Sequence, residues 1–207
     1  AFPSMHTIEQ IASTVSNIEY SGQVDLSDQI ASFIEQAAAD FPQADRSRVD
    51  QILASHRARL GLLNEELPLS GLVDFQNAPF QWSDYRGKVV LVDFWASWCV
   101  PCLKEIPRIR EVYADLREQG FEVVSINMDE KLAAAEDFVR QQKFPWRTYR
   151  SQDPQALGFS APFAQQFGVS AIPFMILIGR DGLVSAIHVR GDKLRPRIEQ
   201  LLNAEEN

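Results

Sequence analysis

"WASWCVPCLKEIP", residues 95–107, contains both cysteines of this 207-residue chain. The apolar run KVVLVDFWA just before the first cysteine is typical of a strand buried on both faces, and the residues after Cys99 have the pattern of a helix. A helix that begins near Cys99 brings unpaired backbone N–H groups and its dipole to the thiol, which lowers the thiol pKa and favours the nucleophilic thiolate. Cys102 lies one turn later on the same face, from where it can resolve a mixed disulfide. The spacing therefore predicts a redox-active pair.

The composition argues against several other kinds of protein. Two cysteines cannot form a disulfide framework or a four-cysteine zinc site within one chain, and a bridge across so short a loop adds little stability. The hydrophobic content of 45% and charged content of 23% are those of a globular protein, and a net charge of −8 without a basic run argues against a nucleic-acid partner. No apolar stretch has the length of a membrane span. We expect no bound cofactor and no metal ligands.

The pattern of apolar residues divides the chain in two. Residues 1–62 are predicted to form an all-helical segment of about three helices, since apolar residues recur there at helical spacing. This segment could dock a partner, mediate dimerisation or cover part of the core. Residues 67–207 alternate between strand and helix patterns, which predicts an α/β fold with a mixed central sheet flanked by helices. LPLSGLV and APFQWS, residues 67–73 and 78–83, are expected to form a short hairpin at its start.

The stretch GKVVLVDFWASWCVPCLKEIP, together with the later GFEVVSINMDE and VSAIPFMILIGRDG, resembles the thioredoxin superfamily. Within that superfamily it is similar to the TlpA/ResA-type thiol–disulfide oxidoreductases, over roughly residues 67–204. The resemblance implies a thioredoxin-like fold in which Cys99 attacks the substrate disulfide and Cys102 resolves the mixed disulfide. It also implies that Pro173 is the cis-proline facing the cysteines and that the preceding backbone, at Ile172, forms an edge for the substrate polypeptide. The residues expected to face substrate are Trp98, Pro101, Ile172 and Pro173.

Two carboxylates are candidates for the proton transfer at Cys102. Asp93 lies in the buried strand, at the position where thioredoxins carry a buried acid, and Glu105 lies one turn beyond Cys102, where the TlpA/ResA branch places an acid. By this alignment Ser125 replaces the lysine that pairs with the buried acid of thioredoxin, which favours a protonated Asp93 near neutral pH. Two nearby carboxylates titrate as a coupled pair, so the choice between them stays open.

The leading hypothesis is an exported enzyme that reduces protein disulfides, with protein dithiols or disulfides as substrates and an electron donor that the sequence does not identify. The TlpA/ResA branch consists of exported proteins, so the resemblance implies a periplasmic or membrane-anchored location facing the periplasm. The start AFPSMH, without an initiator methionine, fits the removal of a signal or anchor. A disulfide donor is the same chemistry in the opposite direction. A copper-handling module is a further alternative, since two thiolates can bind Cu(I). A peroxidase of the peroxiredoxin type is disfavoured, because such sites place a threonine where this chain has Ala96.

Overall fold

The computed structural model describes residues 4–21 and 23–204. Residues 1–3 and 22 of the predicted helical segment, and residues 205–207 of the predicted α/β segment, lie outside the described residues. The chain divides into two compact units, residues 1–61 and residues 62–207. In its described residues the first unit contains three helices, which are α1 (Met5–Tyr20), α2 (Val24–Ala38) and α3 (Gln43–Leu60). The predicted helical segment is thus confirmed.

The three helices of the first unit share a core of their own. It is formed by small and branched apolar side chains that recur at helical spacing on each helix, namely Ile8, Ala12, Val15, Ala31, Ile34, Ala38, Val49 and Leu53. Glu19, His56 and Arg59 of the same unit are fully buried, and the last two contact the first. The Glu19 carboxylate accepts hydrogen bonds from Arg59 Nε at 2.6 Å and from Arg59 Nη2 at 2.8 Å, and its Oε2 lies 2.6 Å from His56 Nδ1. A buried carboxylate requires such partners to offset the loss of hydration.

The second unit contains a six-stranded mixed sheet with the order β1-β4-β3-β2-β5-β6. Its strands are β1 (Leu72–Asp74), β2 (Val89–Trp95), β3 (Phe121–Asn127), β4 (Arg147–Ser151), β5 (Phe174–Ile178) and β6 (Val184–Ile187). Strand β2 runs parallel to β3, and β3 runs parallel to β4, whereas the other pairs are antiparallel. All seven residues of β2 are buried, as the near-continuous apolar run predicted.

Helices cover both faces of this sheet. They are α4 (Val100–Leu116), α5 (Leu132–Gln142), α6 (Pro162–Gln166) and α7 (Leu194–Leu202). Alternate side chains of β2 point to opposite faces. Leu91 belongs to a core cluster with Ile109 of α4 and Leu194 of α7, whereas the Phe94 ring lies 6.1 Å from the Phe163 ring of α6. Helix α4 therefore packs on the same face of β2 as Leu91 and Asp93.

The expected hairpin within residues 67–83 forms over a short stretch. The backbone N–H of Asp74 donates to the Ala78 carbonyl at 2.9 Å and that of Phe80 donates to the Leu72 carbonyl at 3.0 Å, around an antiparallel bridge between Val73 and Pro79. The chain then enters a 3₁₀ turn at Trp82–Tyr85. Strand β1 also pairs with β4, where the Phe80 ring lies 5.1 Å from the ring of Tyr149.

Candidate active site

The two cysteines lie where the central strand β2 passes into helix α4, and they form a disulfide. Helix α4 begins at Val100, so Cys99 is its N-cap residue, and the Cys99 sulfur accepts a hydrogen bond from the backbone N–H of Cys102 at 3.2 Å. This N–H is one of the groups that have no partner inside a helix, and it points at the sulfur. The helix terminus therefore favours the thiolate form of Cys99 once the disulfide is reduced.

Both sulfurs are buried beneath a rim of exposed side chains. Cys99 is 3% exposed and Cys102 is 1% exposed, whereas Trp98 and Val100 are 58% and 60% exposed. Pro101 is also exposed, and it occupies the first turn of α4, where its missing N–H has no cost. Large apolar groups at this level of exposure are typical of a surface that contacts another molecule.

A cis peptide bond joins Ile172 to Pro173, directly before strand β5. Because β5 runs antiparallel to β2 with Phe174 opposite Phe94, the start of β5 lies at the end of the sheet where β2 ends. The cis-proline therefore lies at the same end of the strands as the Cys99 loop, beyond the C-terminal end of β2. Pro173 is buried and Ile172 is half-buried.

Asp93 is buried within β2, two residues before the loop that leads to Cys99. Burial removes its carboxylate from water and raises its pKa from 3.8 to about 7, and the nearby Glu105 carboxylate contributes to the same rise. Within the described part of the chain, Asp93 Oδ1 has no hydrogen-bond partner. A carboxylate with this pKa can accept or donate a proton near neutral pH.

Glu105 is half-buried on α4, and it has a partner outside its own helix. Its Oε2 accepts a hydrogen bond from the backbone N–H of Gly191 at 3.1 Å. One turn further along α4, Arg108 Nη1 donates to Asp192 Oδ1 at 2.5 Å. These two contacts tie the helix that carries Cys102 to the turn that precedes α7.

Ser125 lies beside Asp93 on the neighbouring strand, as the alignment on the stretch SINMD indicated. The two residues are register partners between β2 and β3. The Ser125 hydroxyl accepts a hydrogen bond from the indole Nε1 of Trp146 at 2.7 Å. The position next to Asp93 thus holds a neutral hydroxyl, and the acid gains no stabilisation of its charged form from a cation there. Trp146 could not be predicted as a neighbour of the site, because this contact joins residues far apart in the chain.

Asp129 also contacts the loop of the site, although no sequence motif marks it. This residue follows β3, is 2% exposed, and accepts hydrogen bonds from the backbone N–H of Ser97 at 2.8 Å and from the Ser97 hydroxyl at 2.6 Å. Ser97 belongs to the loop that carries Cys99. In the sequence, the only sign of this contact is an acidic residue directly after an apolar strand pattern.

A helix N-terminus that stabilises one thiolate, a second sulfur one turn away and a buried acid of raised pKa together support dithiol–disulfide exchange. On a sheet of this order with a cis-proline at the same edge, they define a thioredoxin-like thiol–disulfide oxidoreductase. The chain belongs to the Redoxin family, which it matches over residues 63–202. That range contains every candidate site residue.

Comparison with known proteins confirms both the fold and the TlpA/ResA resemblance. The chain is 29% identical to the thiol-disulfide oxidoreductase ResA of Bacillus thuringiensis subsp. konkukian over 140 residues, which cover 68% of this chain and 76% of that protein. It is 30% identical to ResA of Bacillus subtilis over 132 residues, which cover 64% of this chain and 69% of that protein. The thioredoxin domain of a thiol-disulfide oxidoreductase from Bacteroides vulgatus has a similar fold, with a TM-score of 0.60 at 24% identity over 68% of this chain and 98% of that domain.

Among residues 4–21 and 23–204, no three or more His, Cys, Asp or Glu side chains come together in a way that could hold a metal ion. None of the helices in the same described residues is both long enough and apolar enough to cross a bilayer.

Proposed function

We propose that this chain reduces disulfides of exported client proteins by dithiol exchange. The observation that carries the proposal is the position of Cys99 as the N-cap of α4, with the Cys102 N–H directed at its sulfur. Similarity to ResA proteins supports the same reaction class. The Cys99 sulfur receives one backbone donor. We therefore expect a moderately lowered pKa and a reducing pair, because only a strongly stabilised thiolate makes such a pair a strong oxidant.

The exchange proceeds in two steps. The Cys99 thiolate attacks one sulfur of the client disulfide, so that a mixed disulfide forms and the other client sulfur leaves as a thiolate. The Cys102 thiolate then attacks the Cys99 sulfur, which breaks the mixed disulfide and releases the second client thiolate. Two electrons pass from the dithiol to the client, and an external thiol donor must afterwards reduce the Cys99–Cys102 disulfide.

We propose that Asp93 accepts the proton of Cys102 in the second step. It lies on the face of β2 that packs against α4, the helix that carries Cys102, and its pKa of about 7 suits transfer near neutral pH. Glu105 raises the pKa of Asp93 through its charge, and the Gly191 N–H holds the Glu105 carboxylate in place. In this proposal Asp93 is the proton acceptor, burial is the main cause of its raised pKa, and the Glu105 charge adds to the rise.

We propose that the client approaches over Trp98, Val100 and Pro101 and pairs with the backbone at Ile172. The exposure of the first three residues and the place of Ile172 at the same edge of the sheet support this path. Apolar contact around a buried sulfur pair suits clients that are unfolded or partly folded, because those expose apolar side chains next to their cysteines.

Location, domain division and the partner of the first unit are proposals as well. We propose an extracytoplasmic location, periplasmic or anchored facing the periplasm, which follows from the similarity to ResA.

Residues 1–62 and 67–207 are proposed as two domains, of which the first docks a partner or a second copy. Limited proteolysis tests the division, and sedimentation of the purified chain at rising concentration tests self-association.

Trapping of the mixed disulfide tests the function. A Cys102→Ser variant should retain clients through Cys99 as covalent complexes that run apart from the free chain on non-reducing gels and disappear with excess thiol. Cys99→Ser is the matched control and should trap none. If Cys102→Ser forms no complex with disulfide-bonded clients under conditions where wild-type chain reduces them, the mechanism is wrong.

A further inference from the structure

The loops that leave β2 and β3 are joined by one buried side chain, Asp129. Its Oδ2 accepts the backbone N–H of Ser97 at 2.8 Å, and its Oδ1 accepts the Ser97 hydroxyl at 2.6 Å. Both donors therefore come from a single residue of the loop between Trp95 and Cys99. Two hydrogen bonds to one residue fix its position and also its orientation, which a single bond does not.

The carboxylate of Asp129 is itself held in one orientation. Asn127 Nδ2 donates to Asp129 Oδ2 at 2.7 Å, and the backbone N–H of Asp129 donates to Asn127 Oδ1 at 3.0 Å. Asn127 is the last residue of β3 and pairs in register with Trp95, the last residue of β2, while the N–H of Met128 donates to the Trp95 carbonyl at 2.8 Å. The anchor of the loop is thus the paired end of the central strands β2 and β3.

A carboxylate suits this position because it must accept three hydrogen bonds from neutral donors. At 2% exposure an acid without such donors would be strongly destabilised. In the part of the chain that the structure describes, no lysine, arginine or histidine side chain forms an ion pair with Asp129. Its partners are therefore the loop and strand groups just named.

The loop that Asp129 holds is short and leads directly to the reactive sulfur. The Cys99 N–H donates to the Ala96 carbonyl at 3.1 Å, so residues 96–99 form a tight turn that includes Ser97. The same turn places Cys99 at the N-cap of α4, where its sulfur meets the Cys102 N–H. Only Trp98 separates Ser97 from Cys99, so a shift of Ser97 also moves the Cys99 sulfur relative to the Cys102 N–H.

We propose that Asp129 is a positioning residue for Cys99, which acts through Ser97 to keep the Cys99 sulfur at the N-terminus of α4. This inference rests on the proposed role of Cys99 as the attacking cysteine. Without Asp129 the turn at residues 96–99 loosens, the sulfur loses part of its contact with the Cys102 N–H, and the thiolate becomes less favourable.

The test measures the Cys99 pKa from the ultraviolet absorbance of its thiolate in a Cys102→Ser background, which leaves one thiol and keeps the residue-102 backbone N–H. Asp129→Ala should lower the ratio of thiolate to thiol at a given pH by about tenfold, equivalent to a rise of about one pKa unit. It should also slow exchange with a small aromatic disulfide at neutral pH. Asp84→Ala, which removes an exposed aspartate paired with Arg147, is the matched control and should leave the pKa unchanged.

Asp129→Asn separates position from charge. Its carbonyl oxygen can accept the Ser97 and Asn127 N–H donors, and its amide can donate to the Ser97 hydroxyl, so all three contacts persist without the charge. We expect its thiolate ratio to stay within about twofold of the background value. If Asp129→Asn and Asp129→Ala both increase the thiolate ratio, the residue acts by its charge and the proposal fails.

Two further outcomes also decide the question. A loss of thermal stability in Asp129→Ala with an unchanged Cys99 pKa would show a merely structural role. If that variant does not fold, Ser97→Ala removes one donor only, and it should lower the thiolate ratio in the same direction by a smaller factor; no change there refutes the proposal. The pKa measurement needs no client, so failure to trap clients would count against the proposed function and leave the role of Asp129 standing.

Discussion

Replacing Asp93 with asparagine should remove much of the pH dependence of folding stability near neutral pH. In the folded chain burial raises the pKa of Asp93 from 3.8 to about 7. The folded state therefore binds the proton more tightly than the unfolded state, and the associated stability is fully present below pH 4 and is lost as pH rises to about 7. At about 1.4 kcal/mol per pKa unit, the whole effect is about 4 kcal/mol, of which about 2–3 kcal/mol falls between about pH 5 and pH 8.

The assay is urea unfolding of the oxidised chain, in which Cys99 and Cys102 do not titrate. The free energy of unfolding of the wild type should fall by about 2–3 kcal/mol more than that of Asp93→Asn between about pH 5 and pH 8. Glu105→Gln removes the charge that contributes to the raised pKa, so it should shift the wild-type fall to lower pH without abolishing it. Equal pH dependence in the wild type and Asp93→Asn would refute the assignment of a raised pKa to this buried acid.

Three other substitutions give separate tests. Ser125→Lys puts an ammonium group at the register partner of Asp93, so the pKa of Asp93 should fall by one unit or more, measured by NMR of the carboxyl carbon; an unchanged pKa would show that the two side chains do not interact. Glu19→Gln weakens the buried contacts to His56 and Arg59 and should cost about 3 kcal/mol of unfolding free energy at neutral pH, whereas a loss under about 0.5 kcal/mol would contradict a structural role for the carboxylate. Trp98→Ala, at an exposed position, should raise KM for a protein client several-fold at unchanged thermal stability, and an unchanged KM would remove Trp98 from the client surface.

The parts of the site that could be predicted from sequence are those encoded locally. The junction of β2 and α4 follows from an apolar run next to a helical pattern, and the placement of Cys99 at the helix start follows from that junction. The resemblance added the cis-proline at Pro173, which no local pattern distinguishes from an ordinary proline before a strand. These signals span only a few residues each.

The contacts that could not be predicted join residues distant in the chain. Trp146 donates to Ser125 across 21 positions, and Asp129 accepts from Ser97 across 32 positions. Amphipathic periodicity reports which face of an element is buried and carries no information on which polar groups meet there. The pairing of β1 with β4, more than 70 residues later in the chain, could not be predicted for the same reason.

The geometry also separates the two carboxylates that the sequence left as equals. Glu105 has a backbone donor at Gly191 and is half-buried, whereas Asp93 is buried and its Oδ1 is without a partner in the described residues. A carboxylate that is deprived of both water and donors is the one that takes up a proton most readily. This difference is the reason for assigning proton transfer to Asp93 and the tuning of its pKa to Glu105.

The equilibrium reduction potential of the Cys99–Cys102 pair, measured against glutathione or dithiothreitol buffers, tests the central claim most directly. A pair that reduces client disulfides should have a potential near or below that of thioredoxin, about −270 mV. A potential near that of a strong oxidant such as DsbA, about −120 mV, would contradict the account and make the chain a disulfide donor.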